Sequence, residues 1–444
     1  MKRFIIALLV LLAIPEGAAW AMTYEDERTV ARDFINLLEA NSLIVHDAEI
    51  TWPIQMIAEK LADHVREPIY HFTVHVVRDR SINAFTIPDG HIFVNLGLLL
   101  FAQDLDEVAA VIGHEMGHGQ LRHIPENYDT QFRLNTATIL GVLAGTLLSS
   151  KNPEAGAAMI FSSLGGTENI RLAYSRQHEF SADEFGRSLL KTSSIDPSAM
   201  PRFLVRLNAF SGASGIPEYL LTHPFTQNRI ANLGEDPGKP APDAAYWTLS
   251  ACIAGLVLPG GEAGMRTSQL PEPYRSLGEA LSHTRNGNHV QALAQLEKID
   301  LSVAKAYRGL NLHALGRNDQ AFPLLKEHAR SARTRTALAE ILQERGEFDE
   351  AIRVLEPYQG QSLRVDYTLG ILYEKARKKA LSHFSFGRYF YRTENYPASL
   401  FHIETAHQDK GDLPRDVVAE LTTMQDMIGS QQQGRPSRLL FPHN

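Results

Sequence analysis

The segment His114-Glu115-Met116-Gly117-His118 contains the residues of this sequence whose types and spacing are best suited to chemistry. Residues four apart lie on one face of an α-helix, so His114 and His118 can both bind one metal ion. Glu115 lies beside them, where its carboxylate can accept a proton from a water molecule that the metal acidifies. The pattern predicts one Zn2+ per chain in a site suited to hydrolysing peptide bonds, with Glu115 as the general base.

Two features around this segment favour a metal site over a chance match. Asp104 is a good N-cap, and Glu107 follows it at the spacing of a capping box, so a helix is expected to begin there. Apolar residues then recur at helical spacing, at Val108, Ala109, Ile112 and Met116. Histidines beside such a buried stripe are costly unless a partner binds them.

The metal site is expected to keep one position open for water, as catalytic zinc sites do. A structural zinc site usually fills all four positions with cysteine or histidine, and no cysteine lies near this segment. The only cysteine, Cys252, lies in an apolar stretch and is predicted to be a small buried side chain. Without a second cysteine, stability must come from packed cores.

A third protein ligand must come from elsewhere in the chain. The metzincin extension of the motif requires a histidine at position 124, where this chain has Ile124. His123 falls one residue short, and on a continuing helix it would face away from the metal. Glu179 and Asp183 share a helix face, so Glu179 could bind zinc while Asp183 accepts a hydrogen bond from a ligand imidazole. By this spacing alone Glu179 could equally be a surface carboxylate, and the adjoining His178 is a further potential ligand.

Three short strands and several helices are predicted to position these residues. Alternation of apolar and polar residues predicts strands at 71–77, 81–87 and 91–95, with a turn at Pro88-Asp89-Gly90. Apolar residues at helical spacing predict helices at 30–38 and 54–65. The region is therefore expected to be an α+β domain, mostly helical with a small sheet.

A second, all-helical region follows and contains an internal repeat. Helical patterns are interrupted by glycine at intervals of 29 residues (287 to 316) and 30 residues (316 to 346). An alanine follows each glycine five residues later, at Ala292, Ala321 and Ala351, and 395–400 looks like one more start. A turn and then a small residue at a helix contact is typical of stacked helical hairpins such as tetratricopeptide repeats, although their usual period is ~34 residues. An unrelated helical bundle is the alternative.

The N-terminus is predicted to be a cleavable signal peptide that directs the chain to the periplasm. A basic start precedes an 11-residue apolar run, Phe4 to Ile14, and a small-x-small cleavage site ends at Ala21. This run is too short for a membrane span, which takes ~20 residues. Two apolar stretches within 138–164 predict a helical hairpin that is also too short to span, with peripheral membrane contact as an open alternative.

These patterns divide the chain into five predicted segments. They are a signal peptide at 1–21, a metallopeptidase domain at 22–235, a connector at 236–270, helical repeats at 271–428 and a flexible tail at 429–444. The formal net charge of −8 argues against sequence-independent nucleic-acid binding, which needs a basic surface.

The first domain resembles the HtpX/BepA-type zinc metallopeptidases, a family of HExxH gluzincins. The resemblance covers about residues 30–235 and rests on Asn83-Ala84-Phe85, Pro88-Asp89-Gly90-His91-Ile92, HEMGH and Glu179-x-x-Ala182-Asp183 with Gly186. The helical repeats make the chain similar to the BepA-like branch in particular. One departure is Asp89, which stands in a turn where the family has a glycine pair after proline.

The resemblance implies a zincin-like fold with zinc held by His114, His118 and Glu179, and with Asp183 supporting a ligand imidazole. It also implies that the strand with Asn83, Ala84 and Phe85 lines the substrate cleft, where a peptide would pair as an added strand.

The BepA-like branch has a segment similar to Thr222-His223-Pro224, and its histidine can occupy the open zinc position and hold the protease inactive. Two alternatives stay open for His223: a donor to the oxyanion of the reaction, or a surface histidine. Arg229 could stabilise the oxyanion or pair with a nearby acid, and pairing is favoured.

The leading interpretation is a periplasmic zinc endopeptidase, with added chaperone activity, in the quality control and assembly of outer-membrane proteins. The resemblance implies that its substrates are unfolded or misassembled outer-membrane proteins and that its repeats dock to the assembly machinery. The alternative is a non-proteolytic periplasmic chaperone or adaptor that acts through its repeats.

Overall fold

The computed structural model describes residues 22–123, 174–214, 217–224, 238–408 and 413–432, together with Gly141, Gly145 and Arg229. It divides into two compact units. One comprises the residues up to Val45 together with Thr51–Tyr246, and the other comprises His46–Ile50 and the residues from Trp247 onward. The predicted signal peptide, nearly all of the apolar hairpin at 138–164 and the chain beyond Gln432 lie outside the described residues.

The first unit combines a small sheet with helices, as the sequence predicted. Its described helices are α1 Tyr24–Ala40, α2 Ala48–Ala62, α3 Leu96–Phe101, α4 Leu105–Gln120, α5 Arg176–Thr192, α6 Ala199–Ser214 and α7 Glu218–Thr222. Its strands are β1 Thr73–Val77, β2 Ala84–Ile87 and β3 His91–Asn95. All three predicted strands are present, with β1 and β2 shorter than predicted.

The sheet has the order β1-β3-β2, with β3 in the middle. Strand β3 runs parallel to β1 and antiparallel to β2. The turn between β2 and β3 takes left-handed backbone at Asp89 (φ 68°) and Gly90 (φ 79°). A Cβ on Gly90 would lie 2.6 Å from the Cβ of Tyr70, so this position requires glycine. Among the described residues no strand pairs with the outer edge of β2.

Helix α4 carries the HEMGH segment and begins where the sequence predicted. Asp104 is its N-cap and accepts a hydrogen bond from the backbone N–H of Glu107 at 2.8 Å. The predicted capping box is incomplete, because the Glu107 carboxylate accepts from the N–H of Gln103 (2.8 Å) and pairs with Arg202 and Arg206. The buried N-terminus of α4 is therefore fixed by a network of charges as well as by its cap.

Helices α4 and α5 cross in close contact at small residues. A Cβ on Gly186 would lie 2.9 Å from the backbone nitrogen of His114 and 3.0 Å from the carbonyl carbon of Gly113. Because the backbones approach so closely, Glu179 and Asp183 on α5 come next to the histidines on α4.

The second unit is helical throughout its described part. Its helices are α8 Ala244–Cys252, α9 Gly260–Ser268, α10 Tyr274–Arg285, α11 His289–Leu296, α12 Ser302–Ala314, α13 Asn318–His328, α14 Ala332–Glu344, α15 Phe348–Leu355, α16 Leu363–Lys375, α17 Lys379–Arg392, α18 Tyr396–Gln408 and α19 Arg415–Gln432. A π-helical segment, Ile253–Val257, follows α8. Cys252 is fully buried, as predicted.

The predicted repeat is confirmed by backbone and packing. The glycines that interrupt the pattern all take left-handed backbone, with φ 77°, 73° and 77° at Gly287, Gly316 and Gly346. The alanines that follow them, Ala292, Ala321 and Ala351, are completely buried between helices. A small side chain at each of these contacts lets successive helical hairpins stack closely.

The interval 236–270, expected to be a connector, contains α8, the π-helical segment and α9. A Cβ on Gly278 of α10 would lie 2.6 Å from the Thr267 methyl group, and one on Gly255 would lie 2.5 Å from the carbonyl oxygen of Gly278. The part of this interval from Trp247 onward therefore packs against α10 as an integral part of the second unit. None of the helices in the described residues is long and apolar enough to cross a membrane.

Candidate metal centre

Four buried side chains converge between α4, α5 and the end of α7. They are His114, His118, Glu179 and His223, each no more than 1% exposed. One potential ligand atom from each lies within 4.8 Å of all the others. Among the described residues, this is the one group of histidine and acidic side chains with the spacing of a metal site.

Four separations between the donor atoms are close to those expected around one zinc ion. His114 Nε2 lies 3.0 Å from His118 Nε2 and 3.3 Å from His223 Nδ1. Glu179 Oε1 lies 3.3 Å from His118 Nε2 and 3.1 Å from His223 Nδ1. Tetrahedral zinc with bonds of about 2.0–2.1 Å places its ligand atoms about 3.3–3.4 Å apart.

The chemistry of this donor set fits a metal ion. Two imidazole nitrogens 3.0 Å apart need a shared proton or a shared cation, and the neighbouring Glu179 carboxylate favours the cation. Nitrogen and carboxylate donors together are the set that zinc takes at a catalytic site. The residues therefore fit the implied ion, and Glu179 would supply the third protein ligand.

Asp183 and Arg229 support the donor set from behind. Asp183 Oδ1 lies 2.9 Å from His114 Nδ1, the ring nitrogen that points away from the cluster. Arg229 pairs with Asp183 through two contacts of 2.7 and 2.8 Å and also pairs with Glu179. Arg229 thus takes the favoured role of pairing with an acid, and the same guanidinium fixes both carboxylates.

The electrostatics of these groups follow from burial and from one another. Burial opposes ionisation of Glu179, but His223 and His118 outweigh it and lower the pKa of Glu179 well below its usual range. Burial likewise opposes ionisation of Asp183, yet His114 and Arg229 lower the pKa of that carboxyl. Burial lowers the pKa of His118 well below its usual value. The site therefore presents ionised carboxylates and a neutral His118, the forms that bind cations.

Glu115 lies directly beside the donor cluster. Its Oε1 is 3.4 Å from His223 Nε2, and neither atom makes a hydrogen bond to the protein. The Thr86 hydroxyl on β2 lies 3.1 Å from Glu115 Oε2 and 2.9 Å from its main-chain oxygen. Burial raises the pKa of Glu115 above its usual value. One carboxylate oxygen of Glu115 thus accepts a hydrogen bond from Thr86, and the other accepts none from the protein.

His223 is buried at the fourth corner of the set and is not a surface residue. Its ring stacks on Tyr219 with centroids 4.4 Å apart and an interplanar angle of 21°. Burial lowers the pKa of His223, but Glu179 and Glu115 outweigh it and raise that pKa. The imidazole thus lies between the donor cluster and the Glu115 carboxylate.

His123 does not face away from the site as the helical pattern predicted. Helix α4 ends at Gln120, and Arg122 takes left-handed backbone with φ 53°, so the chain turns back toward the helix. His123 Nδ1 then lies 3.0 Å from His118 Nδ1. Burial and the neighbouring His178 lower the pKa of His123 to about 4.

The remaining candidates take other positions. His178 stacks on His123, with centroids 4.3 Å apart, and does not join the donor cluster. On the proposed substrate strand, Asn83 and Ala84 are buried, and Phe85 stacks on Phe93 within the first unit. The side chains of Asn83 and Ala84 therefore do not face solvent.

Three residues beside the site were not identified from the sequence. They are Thr86, Tyr174 and Tyr219, which contact Glu115, His118 and His223 respectively. Tyr219 lies four residues before His223, a spacing that could have suggested a contact within α7. The other two contacts join segments far apart in sequence, and no local pattern indicates them.

Comparison with known proteins agrees with this geometry. Residues 51–236 match the model of peptidase family M48, and residues 332–357 match that of the tetratricopeptide repeat. The match to the peptidase model contains every residue of the donor cluster and Glu115. The chain thus contains a peptidase family M48 domain followed by at least one tetratricopeptide repeat.

Relatives with similar sequences carry related names. The beta-barrel assembly-enhancing proteases of Yersinia pestis and Escherichia coli K12 are each 30% identical to this chain over 223 and 217 residues, covering 49% of the chain and 45% of each relative. The mitochondrial metalloendopeptidase OMA1 of Danio rerio is 30% identical over 186 residues, covering 40% of the chain and 38% of that relative. The matched part thus spans less than half the length of each of these relatives.

Proposed function

We propose that this chain, with its peptidase family M48 domain and tetratricopeptide repeat, is a zinc-dependent endopeptidase. The observation that carries the proposal is the buried set of four donor atoms with the Glu115 carboxylate beside it. His114, His118 and Glu179 are the proposed ligands. When bound, zinc supplies Lewis-acid polarisation of the scissile carbonyl and makes a water molecule more acidic.

Glu115 is the proposed general base. The Thr86 hydroxyl fixes one of its carboxylate oxygens, and the other oxygen is buried without a hydrogen bond. That oxygen can take the proton of the attacking water and pass it to the leaving amine. Asp183 orients the His114 ring at 2.9 Å, and Arg229 holds Asp183 and Glu179 in place.

His223 is the proposed inhibitory residue. Its Nδ1 is the fourth atom of the donor cluster, and its Nε2 lies 3.4 Å from Glu115 Oε1, where the attacking water would have to be. Catalysis therefore requires His223 to leave, which makes the described state an inactive one. Of the three roles considered for His223 from the sequence, we therefore favour the blocking role over an oxyanion donor or a surface histidine.

The proposed substrates are unfolded or unassembled outer-membrane β-barrel proteins in the periplasm. The names of the bacterial relatives, beta-barrel assembly-enhancing proteases, support this class, and the predicted signal peptide supports the location. The outer edge of β2, with which no strand of the described residues pairs, is the proposed pairing edge for an extended peptide, in the segment that contains Asn83, Ala84 and Phe85. The repeats are proposed to dock substrate or assembly proteins, since stacked helical hairpins form extended binding surfaces.

The test is metal analysis and proteolysis with the purified full chain. We expect one zinc per chain in the wild type and in Glu115→Gln, and cleavage of a denatured β-barrel protein by the wild type alone. The same barrel protein folded in detergent should resist cleavage. Absence of zinc, or equal cleavage by Glu115→Gln, would falsify the proposal, and persistent chaperone activity in Glu115→Gln would favour the non-proteolytic alternative.

A further inference from the structure

We propose that His123 is the positioning residue that orients the His118 imidazole, by accepting a hydrogen bond from the Nδ1–H of His118. This inference rests on the proposed zinc site. It concerns His118 Nδ1, the ring nitrogen that does not face the donor cluster, and its contact with a residue in the turn after α4. Metal-binding histidines generally need a partner on their second nitrogen to fix the tautomer and the plane of the ring.

The orientation of His118 decides which of its nitrogens faces the ion. Its Nε2 lies 3.0 Å from His114 Nε2 and 3.3 Å from Glu179 Oε1, so Nε2 is the ligand atom. A nitrogen that binds a metal carries no proton, and a neutral imidazole then carries its proton on Nδ1. Nδ1 of His118 lies 3.0 Å from Nδ1 of His123. His123 must therefore act as the acceptor.

The proton on His123 follows from this assignment. Because its Nδ1 accepts, its proton lies on Nε2, and that atom is 3.2 Å from the Ser181 hydroxyl oxygen. Ser181 can accept this bond because its own proton can go to the carbonyl oxygen of Gln177 at 3.0 Å. The hydrogen bonds then run in one direction, from His118 to His123, from His123 to Ser181 and from Ser181 to the Gln177 carbonyl oxygen, and every donor has an acceptor.

The fold holds the His123 ring rigidly in this place. The ring is 4% exposed and stacks on His178 with an interplanar angle of 12°. The left-handed backbone at Arg122 brings it back to α4, and α5 supplies Ser181 from the helix that also carries Glu179. The two helices that supply the proposed ligands thus also supply the contacts that orient His118.

A neutral partner suits this side of the site. His114 is oriented by a carboxylate, Asp183, and Glu115 and Glu179 place two more carboxylates in the same buried region. The one guanidinium that pairs with them in the described residues is Arg229. A further carboxylate behind His118 would add a buried negative charge without a cation, which is costly. An imidazole provides the acceptor without that charge.

The experiment measures zinc affinity of the full chain by competition with a chelator. His123→Phe keeps a ring that can stack on His178 but removes the acceptor, and we expect zinc to bind about 10–100-fold more weakly. His123→Asn places an amide oxygen near the position of Nδ1 and should recover affinity to within about threefold of wild type. Ser181→Ala should weaken binding less than His123→Phe does.

His64→Phe is the matched control, since His64 makes a similar contact to the Ser193 hydroxyl at 3.2 Å but lies outside the donor cluster. Its zinc affinity should equal that of the wild type. Wild-type affinity in His123→Phe, or equal weakness in His123→Asn and His123→Phe, would overturn the inference. If His123→Phe does not fold, as judged by thermal unfolding of the metal-free chain, Ser181→Ala decides, and unchanged affinity there overturns it. A wild type that binds no zinc removes the proposed function as well, so the two failures are distinguishable.

Discussion

Gly117 and Ala182 are in direct backbone contact where α4 crosses α5. A Cβ on Gly117 would lie 2.9 Å from the Cα and 3.0 Å from the carbonyl oxygen of Ala182. Gly117 stands between Met116 and His118 in the metal-binding motif, and Ala182 precedes Asp183. The close approach of the proposed ligands on the two helices therefore requires a residue without a side chain at position 117.

Gly117→Ala is expected to force the two helices apart. Backbone atoms cannot yield as a flexible side chain would, so we expect a loss of about 1–3 kcal/mol in the free energy of unfolding. Zinc affinity should fall as well, because the donors on α5 move away from those on α4. Denaturant unfolding and chelator competition measure the two effects. Gly264→Ala in α9 is the control, since no atom lies within 4 Å of its Cβ and a gain of about 0.5–1 kcal/mol is expected there.

His223→Ala is expected to raise peptidase activity. Removing the imidazole opens the fourth position of the donor cluster and frees the space beside Glu115, so the rate should rise at least about tenfold, equivalent to about 1.4 kcal/mol in the barrier. Hydrolysis of a fluorogenic peptide at saturating zinc measures the change. The double variant Glu115→Gln/His223→Ala should stay inactive. A zinc-loaded His223→Ala with lower activity would instead support the oxyanion-donor role.

Asp183→Asn is expected to weaken zinc binding about 10–100-fold. The amide would no longer provide a charged acceptor for His114 Nδ1, and Arg229 would lose one of its two carboxylate partners. Glu184→Gln is the matched control, because Glu184 is the next residue of α5 and is exposed. Equal affinities in the two variants would contradict the role assigned to Asp183.

Arg202→Met is expected to destabilise the first unit strongly. Arg202 pairs with Asp104 at 2.8 Å and with Glu107 at 3.1 Å, and all three side chains are buried. Removing the cation leaves Asp104 as a buried charge, so a loss of about 3 kcal/mol is expected, limited by the remaining pair of Glu107 with Arg206. Chemical denaturation checks this value. The exposed pair of Arg32 with Asp33 provides the comparison, and Arg32→Met should cost less than about 1 kcal/mol.

The pair of His313 and Glu340 predicts a pH dependence of the repeat unit. The Glu340 carboxylate, 2.9 Å from His313 Nε2, raises the pKa of His313 above its usual value of 6.5. The stabilisation is complete below the unfolded pKa and is lost as the pH rises through the higher folded pKa. The free energy of unfolding should therefore decrease as the pH rises above about 6.5, the usual pKa of histidine, and His313→Gln should reduce that decrease. An identical decrease in His313→Gln and wild type would contradict this assignment, and His283→Gln on α10 is the control.

The sequence predicts best what lies within one helical turn or one strand. His114, Glu115 and His118 follow from a fixed spacing on a single helix, and the strands follow from alternation. The third donor is harder, since the pattern at Glu179 is equally compatible with a surface carboxylate. Its contact with α4 depends on the crossing at Gly117 and Gly186, which only the folded chain brings together.

Backbone reversals are the main reason for the missed contacts. The helical pattern places His123 away from the metal only if α4 continues, whereas Arg122 takes a left-handed conformation that no residue type there announces. Glu107 shows a similar limit at the other end of α4. Its spacing predicts a capping box, but two arginines about a hundred residues away compete for its carboxylate.

His223 and Arg229 are only six residues apart in the sequence, yet one occupies the fourth corner of the donor set and the other clamps Glu179 and Asp183. Because so few residues separate the two side chains, we expect displacement of His223 to weaken the pairing of Arg229 with Glu179, the proposed third ligand. The active form of the enzyme would therefore bind its metal ion less tightly than the inactive form. Activation would then limit its own duration, because prolonged displacement of His223 favours loss of the metal ion and so a return to the inactive state.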